Sequence, residues 1–127
     1  MAQVTAASIT SECKVLAHPS SVDSIPTDGS KEDVVPMAMG AAWKARRIVS
    51  NVRNVLAIEL MCGAQGIDFR APLKPAVAVG RAHAIVRGEV AHLDRDRVMS
   101  GDITAIAEEI RAGRFDECIN WSVEASV

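Results

Sequence analysis

Apolar residues recur at Ala41, Ala45, Ile48, Val52 and Val55, in steps of four, three, four and three, while Lys44, Arg47, Asn51 and Asn54 trace a polar stripe beside them. This is the period of an amphipathic helix with a bundle seam. Continued toward the C-terminus, the stripe reaches Ile58 and Met61, so the run from Val55 to Ile67 is apolar nearly all round, the pattern of a helix surrounded by others. Pro36 is acceptable in a first helical turn and no proline follows until Pro72, which predicts one helix over residues 35–67. At 1.5 Å per residue such a helix spans roughly 45 Å, whereas a compact chain of this size has a diameter of roughly 36 Å. The all-apolar half calls for surrounding helices, and the length implies partner helices from other chains or from a missing part of the same protein.

The remaining pattern is also helical. Residues 2–17 contain many Ala and no Gly or Pro, and predict a helix that stops before Pro19. Residues 18–33, HPSSVDSIPTDGSKED, have two Pro, a Gly and only Val22 and Ile25 as sizeable apolar residues. Loops of this length in compact domains are more often functional than incidental. A helix is expected over 76–93, with Val79, Ala82, Val86 and Val90 on one side, and another over 102–112, capped by Asp102, with Ile103, Ile106, Ala107 and Ile110 inward and Gly113 as its stop. The final run, FDECINWSVEASV, is ambiguous. No run alternates as a strand does, so the fold class is all-α: a long-helix bundle in a single helical segment, residues 1–127.

Composition narrows the function. With 127 residues, 14 Lys+Arg and 16 Asp+Glu, the formal charge is −2, which disfavours nucleic acid or an anionic membrane surface as partner. Aromatic residues make up 3% and Tyr is absent, so the core must be aliphatic and base stacking has little to work with. Cys13, Cys62 and Cys118 fit no zinc or redox spacing, and no apolar run is long enough to span a bilayer; a reduced, cytoplasmic protein is expected.

Candidate chemistry is sparse. Glu32, at the end of the long loop beside Lys31, could bind a cationic substrate or transfer a proton. Equally, Ser30 and Asp33 have the spacing of a capping box at the start of the long helix. Glu59 sits in the all-apolar stretch, where burial would demand a structural partner such as an Arg or a helix end. His92 to Arg97, including Asp94, Arg95, Asp96 and Arg97, could form a charged latch across neighbouring helices. A metal is not expected there, because two Arg would oppose a cation.

Three segments in order, HPSSVDSIPTDGSKED, VLAIELMCGAQGIDFR and EVAHLDRDR, resemble the C-terminal part of the histidine ammonia-lyase and phenylalanine ammonia-lyase superfamily, with the histidine enzymes nearest. MAQVTAASITSE also resembles a segment of a central helix in that family, and coverage extends from about Gln3 to Ile110. The resemblance implies a cytoplasmic, mostly helical homotetramer with long helices bundled at its centre. It also implies removal of ammonia from an aromatic amino acid, in the histidine enzymes yielding urocanate. The family's electrophile is a methylidene-imidazolone made from an internal Ala-Ser-Gly, without an added cofactor.

By position Glu32 matches the family's active-site glutamate. Ser30 and Lys31 stand where the histidine enzymes usually carry Asn and Gln, and Val34 and Pro36 replace the usual His and Ser. An amine in place of an amide near the substrate leaves room for another aromatic amino acid or an aminomutase. The chain has no Ala-Ser-Gly tripeptide and no Tyr, so the electrophile is expected from the portion of the lyase outside it, and the chain alone is expected to be inactive. The expected partners are that portion, identical chains and a small aromatic amino acid. The competing expectation is a non-catalytic oligomerisation module or a remnant of such a lyase.

Overall fold

The computed structural model describes residues 1–22 and 24–118. Four α-helices follow one another: α1, Ala2–Leu16; α2, Ala38–Asp68; α3, Val77–Glu89; and α4, Ser100–Arg111. Short 3-10 turns occupy Asp28–Ser30 and Asp116–Cys118. The end of the ambiguous final run, residues 119–127, lies outside the described residues. The chain forms two compact units, one over Gln3–Val52 and the other beginning at Arg53, and α2 gives its first half to one and its second half to the other.

In the first unit α1 meets the polar stripe of α2, not the apolar seam. Glu12 of α1 accepts hydrogen bonds from Arg47 Nε at 3.2 Å and from Asn51 Nδ2 at 2.8 Å, and Lys44 Nζ donates to the His18 carbonyl. Asn51 is 5% exposed, while Ala41, Ala45 and Val52 are exposed. Within the first unit the seam predicted from Ala41 onward is thus left largely uncovered. One acceptor on α1, Glu12, satisfies two donors of the stripe, which makes that polar face the one that can be covered. Arg46 lies 5.3 Å from the Trp43 ring, a cation–π contact. No residue of α1 is buried.

The second unit holds the core. Ala57, Met61 and Ala64 of the second half of α2 meet Val86 and Val90 of the α3 end and Ile106 and Ala107 of α4, with Leu60, Ile103, Ile110 and Phe115 packed around them. Ile106 and Val86 are the largest side chains that are wholly enclosed. Small Ala residues on α2 let the other helices approach closely while the branched side chains fill the space. Val79, which shares a side of α3 with Val86 and Val90 in the sequence pattern, is 47% exposed.

The end of α4 is set by Gly113, whose φ of 74° is left-handed. Arg114 N–H donates to the Glu109 carbonyl and Gly113 N–H to that of Ile110, which together are a Schellman motif. Asp102 is not the N-cap of α4. Met99 holds that position without a side-chain bond, and Asp102 sits in the first turn.

Candidate functional site

Glu32 is presented by a tight turn within the first unit. Thr27 and Glu32 form an isolated antiparallel bridge, with Thr27 N–H donating to the Glu32 carbonyl at 2.8 Å and Glu32 N–H to the Thr27 carbonyl at 3.3 Å. The residues between them turn through three consecutive left-handed positions, Asp28 (φ 50°), Gly29 (φ 63°) and Ser30 (φ 67°). Only Gly adopts such φ freely. Asp28 and Ser30 each cost roughly 1 kcal/mol or more there, a strain that clusters at functional sites.

The Glu32 side chain is exposed, and its Oε2 accepts from Thr27 Oγ1 at 3.4 Å. Among the described residues no cation pairs with it. Its neighbour Lys31 instead reaches Asp28 at 3.9 Å, with both side chains largely in solvent. Five residues separate Glu32 from Ala38, the first residue of α2, so the capping-box alternative for Ser30 and Asp33 is set aside. Ser30 belongs to the turn and Asp33 to a connection without regular structure. The loop is anchored instead by Val35 N–H donating to Ser24 Oγ at 2.7 Å.

The structural candidates divide. Glu59 is exposed on α2 and makes no ion pair among the described residues, so the expected burial with a partner does not occur. It borders an open groove of about 550 Å³ in the second unit, lined chiefly by apolar residues including Leu56, Leu60, Ile67, Val79, Val86 and Phe115. Of the presumed latch, Arg97 ties the connection after α3 to α4. Its guanidinium pairs with Asp102 at 2.9 Å and donates to the carbonyls of Ala91 and His92. Asp94 lies 3.8 Å from His92, and Arg95 and Asp96 are exposed without ion pairs among the described residues.

Sequence reasoning missed a polar cluster at the C-terminal end of α2. Asp68 accepts from His83 at 2.7 Å, from Arg87 Nε at 2.9 Å and from His92 Nδ1 at 3.0 Å. Gln65 completes the set. Its carbonyl oxygen accepts from Arg87 and from Leu93 N–H, and this orients its amide nitrogen toward His92 Nε2. That orientation assigns the His92 proton to Nδ1, facing Asp68. The His92 hydrogen bond does most to hold the Asp68 carboxyl well below the usual carboxylate range, the His83 bond is next, and Arg87 adds a bond and its charge against the opposing effect of burial. The available signal was the i,i+4 pair His83 and Arg87, which puts two polar groups on one face of α3.

Among the described residues there is no group of His, Cys, Asp and Glu suited to a metal, and no helix is long and apolar enough to cross a membrane. All three cysteines are unpaired.

Residues 1–88 match the family model for aromatic amino acid lyases. The chain is 53% identical over 116 residues to a histidine ammonia-lyase of Anaeromyxobacter sp. (strain K), covering 91% of this chain and 23% of that protein. It is 47% identical over 126 residues to the histidine ammonia-lyase of Shewanella woodyi, covering 99% and 25%. Among solved structures, histidine ammonia-lyase from Trypanosoma cruzi superposes with a TM-score of 0.86 at 37% identity, over 91% of this chain and 23% of that one. Tyrosine aminomutase from Streptomyces globisporus gives a TM-score of 0.86 at 33% identity, over 93% and 22%. The chain thus spans about a quarter of the length of these relatives. With its all-helical fold and two thirds of its residues matched by the family model, this chain belongs to the aromatic amino acid lyase family.

Proposed function

We propose that this chain acts as the C-terminal portion of an ammonia-lyase of the histidine type, working on histidine to give urocanate and ammonia within an assembled, cytoplasmic homo-oligomer. The observation that carries the proposal is Glu32: an exposed carboxylate, free of any cation among the described residues, held on a strained turn in a chain of this family. Such a group fits a site completed by other parts of the enzyme, because a carboxylate already neutralised by an ion pair has less to offer a substrate ammonium or a proton. The electrophile expected from the rest of the lyase supplies the activation that lets a weakly acidic β-proton leave. The part left to this chain is to hold the amino acid or move a proton at Glu32, with Lys31 and Ser30 beside it shaping which side chain is accepted.

Histidine is favoured as substrate by the histidine ammonia-lyase relatives, which are about half identical to this chain. Lys31 keeps the preference open to test, and tyrosine should be assayed alongside histidine.

A second reading, a helical assembly module without catalysis, draws on α1, which buries no residue, and on the exposed Met39, Val49 and Val52 of α2. Both readings require partners. They separate in an assembled lyase made by replacing the matched segment of the Anaeromyxobacter enzyme with this chain. Urocanate formation there, with none from the isolated chain, supports the enzyme reading. An assembled but inactive oligomer overturns it in favour of the module.

A further inference from the structure

The turn that carries Glu32 also sets a hydroxyl beside its carboxylate. In an antiparallel bridge that exchanges both backbone hydrogen bonds, the two opposed side chains leave on the same face. Thr27 and Glu32 are such a pair, so the backbone itself brings the Thr27 hydroxyl beside the Glu32 side chain, and Oγ1 donates to Oε2 at 3.4 Å. Thr is suited to this place. Its branched Cβ restricts χ1, so the hydroxyl is delivered with little rotamer freedom, whereas a glutamate has three rotatable side-chain bonds to be ordered.

Resting on the reading of Glu32 as the substrate-facing carboxylate, we propose that Thr27 is its positioning residue. By occupying Oε2, Thr27 leaves Oε1 as the oxygen turned to the substrate and limits the orientations the carboxylate samples. The left-handed turn at Asp28, Gly29 and Ser30 serves the same end, because it closes the loop tightly enough to pair Thr27 with Glu32. A misdirected carboxylate spends most of its time outside the productive geometry, which lowers turnover without changing the chemistry available.

The test is a double-mutant cycle in the assembled lyase described above, with kcat and KM measured for histidine. Thr27→Val, isosteric but without the hydroxyl, should lower kcat about five- to tenfold, and Thr27→Ser should restore most of it. In a Glu32→Ala background Thr27→Val should cost nothing further, because the hydroxyl then has no carboxylate to orient; a structural role would add its full loss. Should Thr27→Val fail to assemble, Thr27→Ala replaces it, and failure of both overturns the proposal in favour of a structural role. If Glu32→Ala is impaired while Thr27→Val keeps full kcat, the positioning proposal falls and the reading of Glu32 stands. If Glu32→Ala retains full activity, or the assembled enzyme is inactive throughout, both fall.

Discussion

Asp68, the last residue of α2, and Arg87 of α3 meet at 2.8 Å, with both side chains more than three-quarters shielded from solvent. Around this pair His83, His92 and Gln65 close a network in which Asp68 is the anion that every donor except the Gln65 amide faces. It joins the end of one helix to the next helix and to the connection beyond it.

Stability should therefore depend on acid through Asp68. Its carboxyl titrates near 3.8 when unfolded and lower when folded, so below that ordinary value the unfolded state binds more protons and stability falls with pH. The contribution should be complete above about pH 5 and decline as pH drops through the carboxylate range. Urea unfolding of the wild-type chain and Asp68→Asn between about pH 3 and 6 measures it. The gap between the two should narrow toward the acid end; a constant gap contradicts the assignment.

Glu32→Gln in the assembled lyase should lower turnover by about a hundredfold or more, the usual scale for losing a proton-transfer group. The exposed side chain contributes little to packing, so the melting temperature should stay nearly unchanged. Parallel losses of melting temperature and activity would instead assign Glu32 to the fold.

Ile106→Ala should destabilise the second unit by about 2–5 kcal/mol, because the side chain is fully enclosed and its removal leaves a cavity. Denaturant unfolding gives the value, and a loss below about 1 kcal/mol would show that the helices close over the gap.

Gly113→Ala should cost roughly 1–2 kcal/mol through the left-handed backbone alone. A new Cβ would also sit 3.1 Å from an Asp116 carboxylate oxygen, so that side chain must shift. The same substitution at Gly88, within α3 and with open space around it, should be neutral or stabilising in the same measurement.

The helices were legible because proline, glycine and apolar spacing act locally. Pro19, Pro36 and Pro72 bound the first two helices to within a few residues, and Gly113 marks the end of α4 through its own backbone preference. The facing of α2 was not legible in its first half. Periodicity finds two stripes but not which one is covered, and that choice was made by Glu12, a single residue on another helix. Asp68 escaped for the same reason, since its partners lie 15 to 24 residues away. At the candidate site Glu32 was identified through family resemblance. The Thr27 pairing was hidden because an isolated two-residue bridge has no strand pattern to announce it.

The N-terminal helix has fifteen residues and fully buries none of them, shielding Ala6, Ile9, Glu12, Cys13 and Leu16 only in part. Helices of that length are marginal in solution when little apolar surface is covered. Its backbone amides should accordingly exchange quickly in the isolated chain and, under the proposed assembly, become protected in the assembled lyase. That makes α1 an internal gauge of assembly: deuterium uptake over Ala2–Leu16 would report docking before any product is formed.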